Sequence, residues 1–243
     1  MRKLQIVGHR GAAGLAPENT IPAFEEAKKY HVDYIEFDVR ETRDGHLILM
    51  HDEDVSRTTN GRGSVRDMDL AQIKQLDAGS WFSHRYRNTR VPTLAEALEV
   101  LRSDGIGIII ELKDRNIEKK TLVVVEESDL LDRVIIASFA MNDLINTRRI
   151  NDTVQLAIIS PQYNQRILEQ MERLGIGMLA LEKDAVDRYI IRRCREEGIL
   201  LDVGTVNDIR EAERLIGMGV DIICTDYPDR IYVLRKRFAG RCF

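Results

Sequence analysis

Three acidic residues stand in runs whose neighbours belong to buried strands. In Tyr34-Ile35-Glu36-Phe37-Asp38-Val39 the two acids alternate with Ile35, Phe37 and Val39. Successive side chains of a strand point to opposite faces, so Glu36 and Asp38 share one face and the apolar set the other. Glu111 and Lys113 share a face in the same way in Ile108-Ile109-Ile110-Glu111-Leu112-Lys113. A carboxylate in a protein interior is costly unless it is paired or binds a cation. Three converging carboxylates suit a hard divalent ion such as Mg²⁺ or Ca²⁺, which prefers oxygen ligands. An ion-pair network around Lys113 with no metal satisfies the same pattern. Two histidines add proton-transfer chemistry. His9 ends the first strand-like run, ahead of Arg10-Gly11, and His51 ends a later one. Imidazole changes charge near neutral pH, so two of them beside an acid cluster suit general acid–base work. His31, His46 and His84 lack such company and read as a helix end, a turn and an exposed loop. Cys194 and Cys224 read as core residues and Cys242 as part of the tail, with no activating neighbours.

These residues must be positioned by the elements around them. Strand-like runs occur at Leu4–Gly8, Tyr34–Val39, Ile106–Leu112, Val134–Ser138, Val154–Ile159, Gly177–Leu181, Leu200–Val206 and Asp221–Thr225. Helical patterns lie between several of them: Ile21–Tyr30, Leu94–Leu101, Gln165–Leu174, Ala185–Glu197 and Asp208–Met218. Parallel strands need crossover connections, so the alternation implies a parallel sheet. Eight such units at ~250 residues fit a closed (β/α)₈ TIM barrel. The open doubly wound alternative lacks a glycine-rich dinucleotide turn after the first strand. Active sites of such barrels lie where the strands end, and His9 ends the first strand.

Leu47–Met50 breaks the alternation, because a turn and no helix separates it from the second strand. Asp44-Gly45 is a two-residue hairpin signal, which predicts an antiparallel ladder with Asp38 opposite His51. The stretch after it, about 52–92, contains Asn60-Gly61-Arg62-Gly63 and the chain's one Trp, and completes no strand–helix unit. It reads as an insertion above one end of the barrel. Pro92-Thr93 ends it, and Thr93 can cap the helix that follows. The expectation is therefore one TIM-barrel domain over 1–243 with a small insertion after the second barrel strand.

Composition narrows the function. The chain has 243 residues, 44% hydrophobic and 31% charged, with a formal net charge of −4. Disorder needs low hydrophobicity with high net charge, and neither is present. Slight acidity argues against a nucleic-acid partner, which would need an excess of Lys and Arg. No apolar run approaches the ~20 residues that span a bilayer, so stable membrane insertion is not expected. The opening apolar stretch is too short for a signal peptide, and three cysteines without a CxxC pair make no disulfide framework. A cytoplasmic location is expected. The oligomeric state is not legible.

Taken in order, His9-Arg10-Gly11, Pro17-Glu18-Asn19-Thr20, Glu36-x-Asp38-Val39, His51-Asp52, Ala78-Gly79-Ser80-Trp81, Pro92-Thr93-Leu94, Glu111-x-Lys113, Thr205-Val206-Asn207 and Thr225-Asp226-x-Pro228 resemble the glycerophosphodiester phosphodiesterase family from residue 4 to about 230. The resemblance implies a metal-dependent barrel that cleaves a small-molecule glycerophosphodiester to glycerol 3-phosphate and an alcohol. It implies that Glu36, Asp38 and Glu111 hold one divalent metal, that His9 and His51 are the acid–base pair, and that Arg10 and Lys113 contact phosphate. It leaves open the order of the two histidines, and attack by water or by a glycerol hydroxyl. A lipase-like relative that releases lysophospholipid head groups is the alternative, but no cationic amphipathic helix of the interfacial kind is evident. A barrel that binds phosphorylated ligands without turnover is another, opposed by the full set of competent residues. One departure stands out. The family's usual Trp before Thr-Val-Asn is Gly204 here, which predicts a wider glycerol pocket unless Phe139, Trp81 or Phe82 fills it.

Overall fold

The computed structural model describes residues 4–238; Cys242 lies outside them. Eight parallel strands form the ring: β1 (Gln5–Gly8), β2 (Tyr34–Glu41), β4 (Gly107–Leu112), β5 (Val134–Ser138), β6 (Gln155–Ser160), β7 (Met178–Glu182), β8 (Leu200–Gly204) and β9 (Ile222–Thr225). β1 pairs with β9 on one side and with the start of β2 on the other, so the sheet closes into the expected TIM barrel. The extra strand β3 (Leu47–Leu49) lies antiparallel to the end of β2, outside the ring.

The alternation read in β2 and β4 divides two layers. Ile35, Phe37, Val39, Ile108, Ile110 and Leu112 belong to the core between strands and helices. Val7, Ile109, Ile135, Ala137, Ala157 and Met178 form the smaller cluster inside the barrel. Phe24 of helix α1 (Ile21–Lys28) packs on Phe37 at 5.5 Å between ring centroids. Each buried residue of this size contributes about 1.5–3 kcal/mol.

After β3 the chain forms short 3₁₀ turns and the helix α2 (Leu70–Ile73). Ile48, Met50, Val55, Val65, Ile73, Ala78 and Val91 make a separate cluster beneath this segment. The barrel resumes at α3 (Leu94–Leu101), where Thr93 accepts from the N–H of Glu96 and the Glu96 carboxylate accepts from the N–H of Thr93. This reciprocal cap is the one foreseen at Thr93. The remaining helices are α4 (Glu118–Glu127), α5 (Met141–Ile150), α6 (Gln165–Leu174), α7 (Arg188–Glu196), α8 (Ile209–Met218) and α9 (Pro228–Phe238). α4, α5 and α9 carry no sequence expectation. The first two lack a side-chain N-cap, and α4 contains the β-branched run Val123-Val124-Val125, so local signals for helix are weak there.

The hairpin register differs from expectation by one residue. Val39 pairs with Leu49, Arg40 with Ile48 and Glu41 with Leu47, and Asp38 accepts from the N–H of Met50 at 3.1 Å. Asp38 therefore faces Met50, and His51 lies past the ladder. The loop has three residues rather than two: Thr42 donates through its N–H to the carbonyl of His46, and Gly45 at φ +84° closes a turn on Thr42. A type I turn followed by a left-handed residue is the common three-residue hairpin, and Asp-Gly serves it as well as the two-residue form.

Candidate active site

The predicted site residues converge at the C-terminal mouth of the barrel. His9 and Arg10 follow β1, Glu36 and Asp38 come from β2, His51 follows β3, Glu111 and Lys113 come from β4 and its end, and Phe139 follows β5. A cavity of about 380 Å³ opens there, lined by His9, Arg10, Glu36, His51, Glu111, Lys113 and Phe139 among others. Asp38 lies beneath it, 1% exposed.

The backbone that carries Arg10 is bent sharply. Arg10 has φ +49° and Gly11 +88°. At Gly11 a side chain is excluded twice, since a Cβ would also stand 2.7 Å from the backbone of Ala23 on α1. A left-handed non-glycine residue costs about 1–3 kcal/mol and persists where its surroundings fix it. Here the N–H of Arg10 donates to Glu36 Oε2 at 2.9 Å, and its carbonyl accepts from the N–H of Asn19 at 3.1 Å.

Glu36, Asp38 and Glu111 each offer one oxygen within 4.8 Å of the others. Lys113 Nζ stands 3.2 Å from Asp38 Oδ1 and 2.5 Å from Glu111 Oε1, and Arg10 Nε 3.2 Å from Asp38 Oδ2. Asn19 donates to Asp38 Oδ2 at 2.8 Å and accepts from the Asp38 N–H at 3.1 Å. Burial works against charge on Asp38, but Lys113 and Arg10 outweigh it and hold its pKa below the ordinary value. Glu36 has no such cation. Burial, with Asp38 beside it, pushes its pKa up to about 8, and its Oε1 finds no hydrogen-bond partner among the described residues. Burial and Asp38 also raise Glu111, against the pull of Lys113. The ion-pair network around Lys113 is thus real but does not neutralise the acids. The cluster is short of positive charge and has a free buried oxygen, which a divalent cation would satisfy.

Each histidine is held at Nδ1 by a carboxylate. His9 Nδ1 meets Asp226 Oδ1 at 2.6 Å, and His51 Nδ1 meets Asp52 Oδ1 at 2.6 Å. A carboxylate accepts, so Nδ1 carries the hydrogen and Nε2 is left for chemistry. Asp226 is itself fixed by Asn207, whose Nδ2 donates to Asp226 Oδ2 at 2.6 Å and whose Oδ1 accepts from the Asp226 N–H at 2.9 Å. The Thr205-Val206-Asn207 and Thr225-Asp226 elements therefore serve His9. The two rings are tuned in opposite directions. Burial opposes charge on His9, but the Asp226 bond and Glu36 outweigh it and raise the pKa. Burial lowers that of His51, helped by Arg10 and Lys113 and opposed by Asp38 and Asp52.

A residue without a sequence expectation ties these parts together. Arg57, from the segment after β3, donates to both oxygens of Glu18 at 2.8 and 2.7 Å and to Asp52 through Nε. Glu18 accepts from Arg10 at 2.7 Å. Arg57 thus braces Arg10 through Glu18 and His51 through Asp52. The Glu18 partnership raises its pKa most. Arg57 ends a three-residue 3₁₀ turn, where an isolated Arg carries no periodic signal.

Phe139 stands at the rim, 59% exposed, with Lys113 Nζ 5.8 Å from its ring centroid. Trp81 and Phe82 do not line the cavity; Trp81 stacks edge-on with Phe82, and Phe82 with Tyr86, whose hydroxyl donates to the Leu15 carbonyl. Gly204 lines the cavity, and a Cβ there would fall 2.7 Å from Cys224 Cβ. Cys224 thus occupies the space that a side chain at 204 would need.

Residues 9–230 match the glycerophosphoryl diester phosphodiesterase family. The chain is 35% identical to a glycerophosphodiester phosphodiesterase of Bacillus subtilis, covering 97% of this chain and 88% of that one. It is 34% identical to one of Caldanaerobacter subterraneus, covering 97% and 99%. Its fold superposes with a TM-score of 0.87 on an Oleispira antarctica phosphodiesterase solved with the product sn-glycerol-3-phosphate, at 29% identity and 96% coverage of each chain. No helix among the described residues is long and apolar enough to cross a membrane. With its barrel, its acid cluster and its two carboxylate-held histidines, this chain belongs to the glycerophosphoryl diester phosphodiesterase family.

Proposed function

We propose that the protein hydrolyses glycerophosphodiesters to glycerol 3-phosphate and an alcohol, with His9 as proton donor and His51 as proton acceptor. The observation that carries this reading is the pair of imidazoles on one cavity wall, each oriented by its own carboxylate and tuned in opposite directions. A phosphodiester anion repels nucleophiles and has a poor alkoxide leaving group. His51, whose neutral form burial favours, takes the proton of the attacking hydroxyl through Nε2. His9, whose protonated form Asp226 favours, delivers a proton to the departing oxygen. Each transfer is worth typically about 10²–10⁴-fold.

Arg10 and Lys113 line the cavity beside the acids, where guanidinium and ammonium neutralise phosphate oxygens. Glu36, Asp38 and Glu111 would hold one Mg²⁺ or Ca²⁺. Bound there, the ion supplies Lewis-acid stabilisation of charge on the phosphoryl oxygens. Phe139 offers an apolar ring at the rim for the carbon skeleton of the substrate.

The test is turnover of glycerophosphocholine with Mg²⁺ or Ca²⁺, with and without chelator, by the native protein, His9→Ala and His51→Ala. Release of glycerol 3-phosphate by the native protein, its loss on chelation and a fall in kcat of two orders of magnitude or more in each variant are expected. No turnover in any divalent salt would sink the assignment. Full activity in either variant would remove that histidine from it.

A further inference from the structure

The cavity has two unlike halves. Glu36, Glu111, Lys113, Arg10 and the two histidines stand on one side. On the other, the strands β5 to β9 contribute mainly small or apolar side chains, among them Ala137, Ala157, Met178 and Ala180, with Ser160 and Glu182 at the strand ends. A buried carboxyl stands in mid-strand among them. Asp202 of β8, in register with Ala180 and Ile222, lines the cavity at 6% exposure. Its Oδ1 has no hydrogen-bond partner among the described residues, although the Val203 N–H favours its charge. No lysine or arginine among the described residues pairs with it. Burial pushes its pKa up to about 7, and His9 and the Val203 N–H offset that only in part.

A barrel packed for stability alone would place an apolar side chain here, since an unpartnered buried carboxyl costs free energy on folding. The alanines at 137, 157 and 180 leave room in that half for a short carbon chain. The charged half takes the phosphoryl group on the reading proposed above, so an organic arm of the diester lies in the other half.

We propose that Asp202 is a specificity-determining residue that accepts a hydrogen bond from a hydroxyl or ammonium on one organic arm of the substrate. This rests on the phosphodiesterase reading for the identity of the ligand, and only on the cavity for the contact. The donor can belong to the glycerol arm or to the alcohol arm, and monoester probes separate them.

The experiment compares binding of sn-glycerol 3-phosphate, phosphoethanolamine and inorganic phosphate, by calorimetry in divalent-cation buffer, to the native protein, Asp202→Leu and Asp202→Asn. A selective loss of tenfold or more in Asp202→Leu is expected for one organic phosphate, relative to inorganic phosphate. Loss for glycerol 3-phosphate places the donor on the glycerol arm, and loss for phosphoethanolamine places it on the alcohol arm. Equal loss for all three, or none for any, overturns the proposal. Should Asp202→Leu fail to fold, Asp202→Asn decides, with a selective loss of threefold or more required. Turnover of glycerophosphocholine by the native protein is read in parallel. Binding without turnover would sink the phosphodiesterase reading and leave the Asp202 comparison standing.

Discussion

Arg57 braces both halves of the proposed acid–base machinery without lining the cavity, and this makes it a sharp test of positioning. In Arg57→Met the stem length is kept while three hydrogen bonds to carboxylates vanish: two to Glu18 and one to Asp52. Hydrogen bonds to charged groups are worth ~1.5–3 kcal/mol each when water cannot replace them. The Arg57 side chain is 44% exposed, however, and exposed pairs contribute ~0.2–1 kcal/mol. Glu18 keeps Arg10, and Asp52 keeps His51 and faces water. A stability loss of about 1–2 kcal/mol follows, which for a chain of this size lowers Tm by roughly 2–8 °C. The effect on turnover should be larger. His51 and Arg10 both lose the second anchor of their partner carboxylates, and a displacement near 1 Å can cost ~10²-fold. The expected outcome is a 10–100-fold fall in kcat on glycerophosphocholine (order of magnitude) with a smaller change in KM. Arg57→Lys, with one ammonium for two carboxylates, should fall nearer to Met than to the native protein. A kcat within about threefold of native in Arg57→Met at a temperature where it is fully folded would refute the bracing argument.

Three further outcomes are expected. Asp226→Asn removes the partner that favours protonated His9, so the pH at which kcat/KM declines on the alkaline side should move down and kcat should fall by about 10²–10⁴-fold; an unmoved limb would separate Asp226 from the donor. Because folding raises the Asp202 pKa to about 7, its contribution to stability is fully present below the ordinary carboxylate value and is lost as pH rises through about 7. Asp202→Leu should therefore be less pH-dependent in Tm than the native protein over that window, and identical curves would contradict the burial described. Gly204→Ala should lower Tm in the native background and cost less beside Cys224→Gly, since the clash is with Cys224 Cβ; additive effects in that double-mutant cycle would show that the two positions do not compete for space.

At Gly204 the expected wider pocket meets a competitor for the space. The position does line the cavity, but Cys224 has taken part of the room that the missing side chain releases. Restoring a Trp there by a single substitution would collide with β9 before it reached any substrate.

Periodicity alone determined much of this protein. A period of two in the strands, broken by helical stretches, specifies a parallel barrel, because each strand needs a crossover and a buried outer face. The same period puts Glu36, Asp38 and Glu111 inward, since their apolar neighbours must pack under the helices. His9 and His51 are legible as strand ends for the same reason. What the tertiary structure decided is how distant chain segments support those residues. His9 meets Asp226 across 217 residues, and Arg57 meets Glu18 across 39, by hydrogen bonds that no local pattern encodes. The hairpin register turned on a single loop residue, because Asp-Gly serves both the two-residue and the three-residue loop. Asp202 carried the same alternating signal as Glu36, between Leu201 and Val203, yet its isolation could be seen only once the barrel closed. A strand sequence shows which way a carboxyl points, but the partners it meets or lacks belong to other strands, and closure of the barrel is what brings those strands into reach.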